Sequence, residues 1–200
     1  LRQYVCGLWG TLLRDGNFVR FVIIWGGVNF AYMGPAFIAP YAVQRFDLPD
    51  AGAAWCGMLL FLPGAATSLL WGRLGEKRGY LRLCLVAAFL GPVACLIATA
   101  APSWPLLIPA LLLIGLGRSM SGVATNNIVI ESSPQRQRLG YIAVANILIT
   151  VPFGLSAPLG GWLAERFSYG LLYGLSAALY LLGGSLLARL VKDPRRRAQP

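Results

Sequence analysis

The sequence predicts an all-α integral membrane protein whose six transmembrane helices form two inverted three-helix repeats. The chain of 200 residues is 57% hydrophobic and only 12% charged, with a mean hydropathy of +0.65. A water-soluble domain of this size cannot bury that much apolar surface. In addition, one short sequence pattern occurs twice, at positions that would lie on opposite faces of a membrane.

Six apolar stretches are long enough to cross about 30 Å of hydrocarbon, which takes roughly 20 helical residues. Helices are expected because backbone groups in lipid must be satisfied within the segment. The predicted spans are residues 18–43, 51–72, 81–101, 105–130, 139–164 and 170–190. We divide the chain into a cytoplasmic linker or amphipathic segment (1–17), a six-helix bundle in the lipid bilayer (18–190) and a basic cytoplasmic tail (191–200).

The basic residues are concentrated on alternate connections. Three lie at or before the start of the first span, four between the second and third, two between the fourth and fifth, and five at or after the end of the sixth. The opposite connections carry only Arg45 and Arg166. The positive-inside rule therefore predicts that both termini are cytoplasmic. The richness in Ala, Gly, Leu and Arg suggests a bacterium, so we expect a multi-pass protein of the plasma membrane, here a bacterial inner membrane. Topology then explains the net charge of +10 without nucleic acid as a partner.

Residues 72–80 and 161–169 are two copies of one pattern. They are identical at four positions, namely Gly72/Gly161, Leu74/Leu163, Glu76/Glu165 and Tyr80/Tyr169. Each copy closes the second span of a three-span set, and because three is odd the copies face opposite sides of the membrane. This is the layout of an inverted-topology repeat.

The first copy predicts a loop that latches helix ends together. We expect Gly72 to end a helix close to its neighbour, Gly79 to adopt a positive φ, and Glu76 to accept hydrogen bonds. Leu74 and Lys77 belong to the same loop. A solvated turn that only obeys the positive-inside rule is the alternative.

Arg118 is the only formal charge deep within a span. It lies twelve residues after Leu106 and twelve before Ile130. An intramembrane arginine is costly and normally faces a bundle interior or a water-filled path. We therefore expect Arg118 to bind an anionic or polar group of a solute, or to be the cation against which a coupling carboxylate discharges. A structural clamp is the alternative.

Polar residues on three spans are further candidates for a solute pathway. Gly122, Thr125 and Asn126 follow Arg118 at i+4, i+7 and i+8 and share its helix face. The other candidates are Asn29 and Tyr32 in the first span and Asn146 and Thr150 in the fifth. Prolines follow both pairs, which favours helices that bend around a cavity. Helix packing or hydrogen bonds between helices are the alternatives.

The sequence resembles the major facilitator superfamily. Residues 72–79, Gly-Arg-Leu-Gly-Glu-Lys-Arg-Gly, resemble its loop signature G-x-L-a-D-r-x-G, although Glu76 replaces the usual Asp. Residues 131–140, which include Glu131 and Arg138, are similar to the cytoplasmic turn after that family's tenth helix, and residues 158–166 to the end of its eleventh. The resemblance implies helices seven to twelve of a twelve-helix secondary transporter, so that the N-terminal half would be a missing partner.

The resemblance implies transport of a small solute by alternating access, either secondary active or facilitative, with efflux included. It places the first, second, fourth and fifth helices around the cavity and the third and sixth toward lipid. No carboxylate lies deep in a span, so if a coupling proton drives the carrier we expect the titrating acid in the missing half.

The sequence also bears on two other classes of function. A six-span half-size protein that acts as an assembly or regulatory partner stays open, although the start at Leu1 without Met favours a fragment. An intramembrane enzyme is disfavoured because the chain has no histidine and no deep acid to activate Ser119 or Ser121. We therefore expect no catalytic residues, no cofactor and no metal site.

Overall fold

The computed structural model describes residues 15–194 and consists of long helices. Their bounds are Gly16–Phe30 (α1), Ile38–Phe46 (α2), Asp50–Arg78 (α3), Tyr80–Ala100 (α4), Ile108–Ser132 (α5), Arg138–Arg166 (α6) and Tyr169–Leu190 (α7). Short 3-10 turns precede α5 and α6, and two more join α1 to α2 within one span. Residues 15–194 thus contain six segments that are long and apolar enough to cross a membrane, which confirms the predicted spans. The predicted linker and tail lie largely outside the described residues.

The structure corrects the predicted loop at residues 72–79. Helix α3 runs on through Gly72 to Arg78, so the prediction that Gly72 ends the helix is wrong. A Cβ at Gly72 would meet no atom of the described residues within 4 Å, so a close approach does not explain this glycine either. Only Gly79 turns the chain, with the positive φ of 90° that was predicted. In the second copy, Ser168 holds the same place and caps α7 by accepting a 3.2 Å hydrogen bond from the backbone N–H of Leu171.

The packing of the helices preserves an inverted repeat. Helix α5 packs against α3 and α4, α1 packs against α6 and α7, and α4 packs against α7. The repeat relates the span of α1 and α2 to α5, α3 to α6, and α4 to α7. When each helix is replaced by its counterpart, the same pairs of neighbouring helices are obtained. Equivalent residues stand 89 positions apart, as in Tyr80 and Tyr169, which begin α4 and α7. The predicted pair of three-helix repeats is therefore visible in the tertiary contacts.

The two equivalent helix crossings are built from the same residue types at this spacing. Pro63 in α3 and Pro152 in α6 cannot donate to the carbonyls four residues earlier, and a glycine packs beside each kink. A Cβ on Gly115 would lie 2.3 Å from the Leu60 carbonyl oxygen, and a Cβ on Gly26 would lie 2.6 Å from that of Leu148. Only glycine permits such close approach of two helix backbones.

The first span is broken between α1 and α2, and α7 supports the break. Pro35 lacks the N–H that would normally bond to the Ala31 carbonyl. The buried Ser176 hydroxyl donates to that carbonyl instead, and the Tyr173 hydroxyl donates to the Phe37 carbonyl at 3.3 Å. Backbone groups freed by a proline in a membrane helix are commonly satisfied by such side chains.

Ser176→Ala is expected to destabilise the bundle by about 1–3 kcal/mol, because the Ala31 carbonyl would be left buried without a donor. The unfolding of the purified protein in detergent would measure this loss. Ser185→Ala is the matched control, since Ser185 is exposed on the same helix. Equal stability of the two variants would contradict the assigned role of Ser176.

Candidate functional site

A partly open cavity with both polar and apolar lining lies between α1, α4, α5 and α7. Its volume is about 50 Å³. A cavity needs roughly 10–15 Å³ to hold one water molecule, so this one has room for a few waters or a small ion. Its lining includes Trp25, Asn29, Tyr32, Gly91, Arg118, Ser121 and Tyr180.

The cavity lies on the axis that relates the two repeats. Five pairs of its lining residues are equivalent at the spacing of 89, namely Trp25/Ile114, Val28/Gly117, Asn29/Arg118, Tyr32/Ser121 and Gly91/Tyr180. Two residues that are related by the repeat can border the same small cavity only where the axis of the repeat passes through that cavity. The members of most pairs differ in size or charge, so the cavity itself is asymmetric.

The Arg118 guanidinium lies over two neighbouring aromatic rings at the edge of the cavity. Its guanidinium carbon lies 5.1 Å from the ring centre of Tyr32 and 4.9 Å from that of Phe153. The two rings are 5.4 Å apart. Such cation–π contacts orient the guanidinium without neutralising its charge. Arg118 is nevertheless exposed on the surface of the described bundle, so it borders both the cavity and the outside.

Polar residues of α6 lie beside the predicted stripe on α5. Arg118 contacts Phe153, and because the two helices are neighbours that run in opposite directions, Gly122 lies at the level of Thr150 and Asn126 at that of Asn146. All four of these residues are exposed. We refer to Arg118, Gly122, Asn126, Asn146 and Thr150 as the open polar face.

Two predicted pathway residues are engaged inside the bundle. The Thr125 hydroxyl donates to the Ser121 carbonyl at 2.7 Å and accepts from the Trp25 indole N–H at 2.6 Å. This pair joins α5 to α1, so Thr125 does not belong to the open polar face. The Asn29 amide lines the cavity and donates one of its two N–H groups to the Trp25 carbonyl at 2.8 Å.

The cavity is also bordered by the third and sixth spans, which the resemblance places toward lipid. Gly91 of α4 and Tyr180 of α7 line it, whereas no residue of α3 or α6 does. A Cβ on Gly91 would lie 2.7 Å from the Tyr180 ring, so the glycine makes room for that ring. Tyr180 is not among the predicted site residues because the resemblance places its helix toward lipid. The spacing of 89 residues, applied to the whole chain, would have paired it with Gly91.

The predicted latch residues lie at one end of the bundle, with partners that the sequence did not indicate. A carboxylate oxygen of Asp193 lies 2.6 Å from where a Gly79 Cβ would be. The Asn17 amide donates to the Lys192 carbonyl and accepts from the Lys192 N–H, both at 2.8 Å, and so joins α1 to the segment after α7. The predicted Glu76, Lys77, Glu131 and Arg138 are exposed at this end, and Leu74 is half-buried.

The chemistry of the cavity is that of a cation with hydrogen-bond donors. Among the described residues, no acidic side chain lines it, and no cluster of three or more His, Cys, Asp or Glu side chains comes together that could hold a metal ion. The nearest acid along α5 is Glu131, thirteen residues or about 20 Å from Arg118 along the helix axis. An anionic group is therefore what this arrangement would attract.

Residues 17–200 match the family model of the Major Facilitator Superfamily. The chain belongs to the major facilitator superfamily. Membership of this transporter family indicates membrane transport rather than catalysis, and it agrees with the six apolar helices.

Two relatives in this superfamily carry transporter names. The chain is 29% identical over 130 residues to "MFS-type transporter ppz2" of Metarhizium majus, an alignment that covers 65% of this chain and 22% of that protein. It is 28% identical over 162 residues to "Multidrug efflux pump LfrA" of Mycolicibacterium smegmatis, covering 80% of this chain and 32% of that protein. The aligned region thus spans less than a third of either relative.

Proposed function

We propose that this chain is the C-terminal six-helix half of a facilitator that moves a small solute, including efflux, by alternating access. The observation that carries this proposal is the open polar face. A charged residue and four small or polar residues on adjoining helices cannot face hydrocarbon without a large cost, so a water-filled path is the expected environment. In this arrangement Arg118 contacts the solute or its coupling partner.

A second six-helix half would cover the bundle beside this face. The two helices that are least buried in the described bundle are α3 and α6, each with 11% of its span buried, and they are equivalent in the repeat. On α3 the exposed residues are large and apolar, among them Phe61, Leu62 and Leu69. Coverage of less than a third of either relative is also what half of a longer transporter would give.

The proposed orientation places both termini in the cytoplasm of a bacterial inner membrane. The end of the bundle that carries Gly79 and Asp193 is also the end where the basic connections lie, which supports a cytoplasmic location. The residues Glu76, Lys77, Glu131 and Arg138 would then form a cytoplasmic latch that opens and closes during the cycle. A coupling proton would titrate on an acid of the other half, since the acids of this chain lie at helix ends.

Cysteine labelling in membranes tests whether the open polar face lines a path. Asn126→Cys is expected to react with a membrane-impermeant maleimide, because water would reach this face in at least one state of the cycle. Val93→Cys is the matched control, since Val93 is 45% exposed on the apolar side of α4, where we expect lipid. Three native cysteines, Cys56, Cys84 and Cys95, are buried, and Cys6 would be replaced by serine.

Two results would contradict the proposal. Equal labelling of Asn126→Cys and Val93→Cys would show that water does not select the polar face. Resistance of Asn126→Cys in both whole cells and inverted vesicles would show that the face is sealed from both sides.

A further inference from the structure

We propose that the cavity between α1, α4, α5 and α7 binds a small monovalent inorganic anion of about the size of chloride. The anion would be held by the Arg118 guanidinium, the Tyr180 hydroxyl and the second N–H of the Asn29 amide. This site lies inside the bundle, behind the open polar face, and it depends on the proposed function only through Arg118, which borders both.

The Tyr180 hydroxyl is the observation that points to a ligand. The Tyr180 side chain is only 7% exposed and lines the cavity, and its hydroxyl has no hydrogen-bond partner among the described residues. A buried hydroxyl without a partner costs free energy unless a ligand or water satisfies it. Gly91 provides the space in which the ring lies, so the placement of this hydroxyl is a feature of the fold.

The other polar groups of the lining leave donors in excess. The Trp25 indole N–H is used by Thr125, and the Ser121 hydroxyl donates to the Arg118 carbonyl at 2.9 Å. One N–H of Asn29 is used by the Trp25 carbonyl, and its second N–H is available. With the guanidinium and the Tyr180 hydroxyl, the free groups are donors grouped around a positive charge.

Charge and size select an anion over other ligands. The Arg118 guanidinium gives the cavity a positive charge, and no carboxylate of the described residues borders the cavity to offset it. A volume of about 50 Å³ is well below the roughly 150 Å³ of a cavity that admits benzene. The site therefore fits a halide or an anion of similar size, and excludes a large organic acid.

The break in the repeat symmetry explains why there is one site. Arg118, Tyr180 and Tyr32 are each equivalent to a residue of different size or charge, namely Asn29, Gly91 and Ser121. A symmetric cavity would contain either two cations or none. The residue differences between the two repeats therefore place one cation beside the hydroxyl and amide donors that a single anion requires.

Halide titration of the purified full-length protein tests the site. In sodium bromide, compared with sodium gluconate at the same ionic strength, the unfolding temperature is expected to rise and to saturate, since gluconate is too large for the cavity. Tyr180→Phe should weaken bromide binding about tenfold or more, because a hydrogen bond to a charged group is lost. Tyr173→Phe is the matched control on the same helix, since that hydroxyl donates to the Phe37 carbonyl.

The outcomes separate this site from the proposed function. Tyr180→Phe removes one oxygen without a partner, so the variant should fold, and unchanged bromide affinity in it would overturn the site. Equal responses to bromide and gluconate would also overturn it. If transport depends on Arg118 while bromide has no specific effect, the proposed function stands and the anion site fails. If bromide binds with the expected dependence on Tyr180 but no solute is moved, the anion site stands and the proposed function fails.

Discussion

Replacing Arg118 with alanine is expected to lower transport by the full-length protein roughly a hundredfold, while insertion into the membrane is preserved. A hydrogen bond to a charged group contributes about 1.5–3 kcal/mol, which corresponds to a factor of about ten to a hundred or more. The fold should tolerate the change because the guanidinium lies over the Tyr32 and Phe153 rings at an exposed position, where each cation–π contact is worth about 0.5–1 kcal/mol. Solute flux in proteoliposomes, at matched protein content, is the measurement.

Arg45→Ala is the matched control for this variant. The Arg45 guanidinium also lies over two rings, at 5.5 Å from Tyr41 and 5.8 Å from Phe46, but at the end of α2 and away from the cavity. Arg45→Ala should therefore keep normal flux. Arg118→Lys should retain part of the activity, because it keeps the charge but loses the planar guanidinium that lies over the two rings. Ordinary kinetics in Arg118→Ala would refute a role for this residue in the pathway.

Gly115→Val is expected to cause the largest loss of stability, roughly 3 kcal/mol, which is the upper part of the usual range for overpacking. Its Cβ would lie 2.3 Å from the Leu60 carbonyl oxygen, and the obstacle is backbone that cannot rotate away. Helices α3 and α5 would have to separate at the Pro63 kink. A lowered unfolding temperature and loss of folded protein in detergent would measure the effect.

Gly57→Ala provides the control on the partner helix. A Cβ at Gly57 would meet no atom of the described residues within 4 Å, and alanine favours a helix over glycine by up to about 1 kcal/mol. This variant should be as stable as the wild type or more stable. Gly26→Val should resemble Gly115→Val, because the equivalent crossing places the Leu148 carbonyl oxygen 2.6 Å from a Cβ there. A stable Gly115→Val protein would contradict the close crossing.

The class of the protein, the six spans and the repeat could all be predicted from the sequence. Apolar length and the placement of basic residues are local properties, so they can be read without knowing which helices are neighbours. The turn at Gly79 was predictable for the same reason, since glycine readily adopts a positive φ and is common just after the end of a helix. The depth of Arg118 in its span also followed from counting residues.

The surroundings of Arg118 could not be predicted without the tertiary structure. The sequence predicted one stripe containing Thr125, but the indole of Trp25, a hundred residues earlier, engages that hydroxyl inside the bundle. Tyr180 reaches the cavity only because Gly91 leaves space for its ring, and these two residues lie on different helices. Hydrophobic periodicity specifies which face of a helix is buried, but it does not specify which side chain of another helix fills the space opposite. That depends on the crossings at Gly26 and Gly115, where close backbone contact fixes how the helices meet.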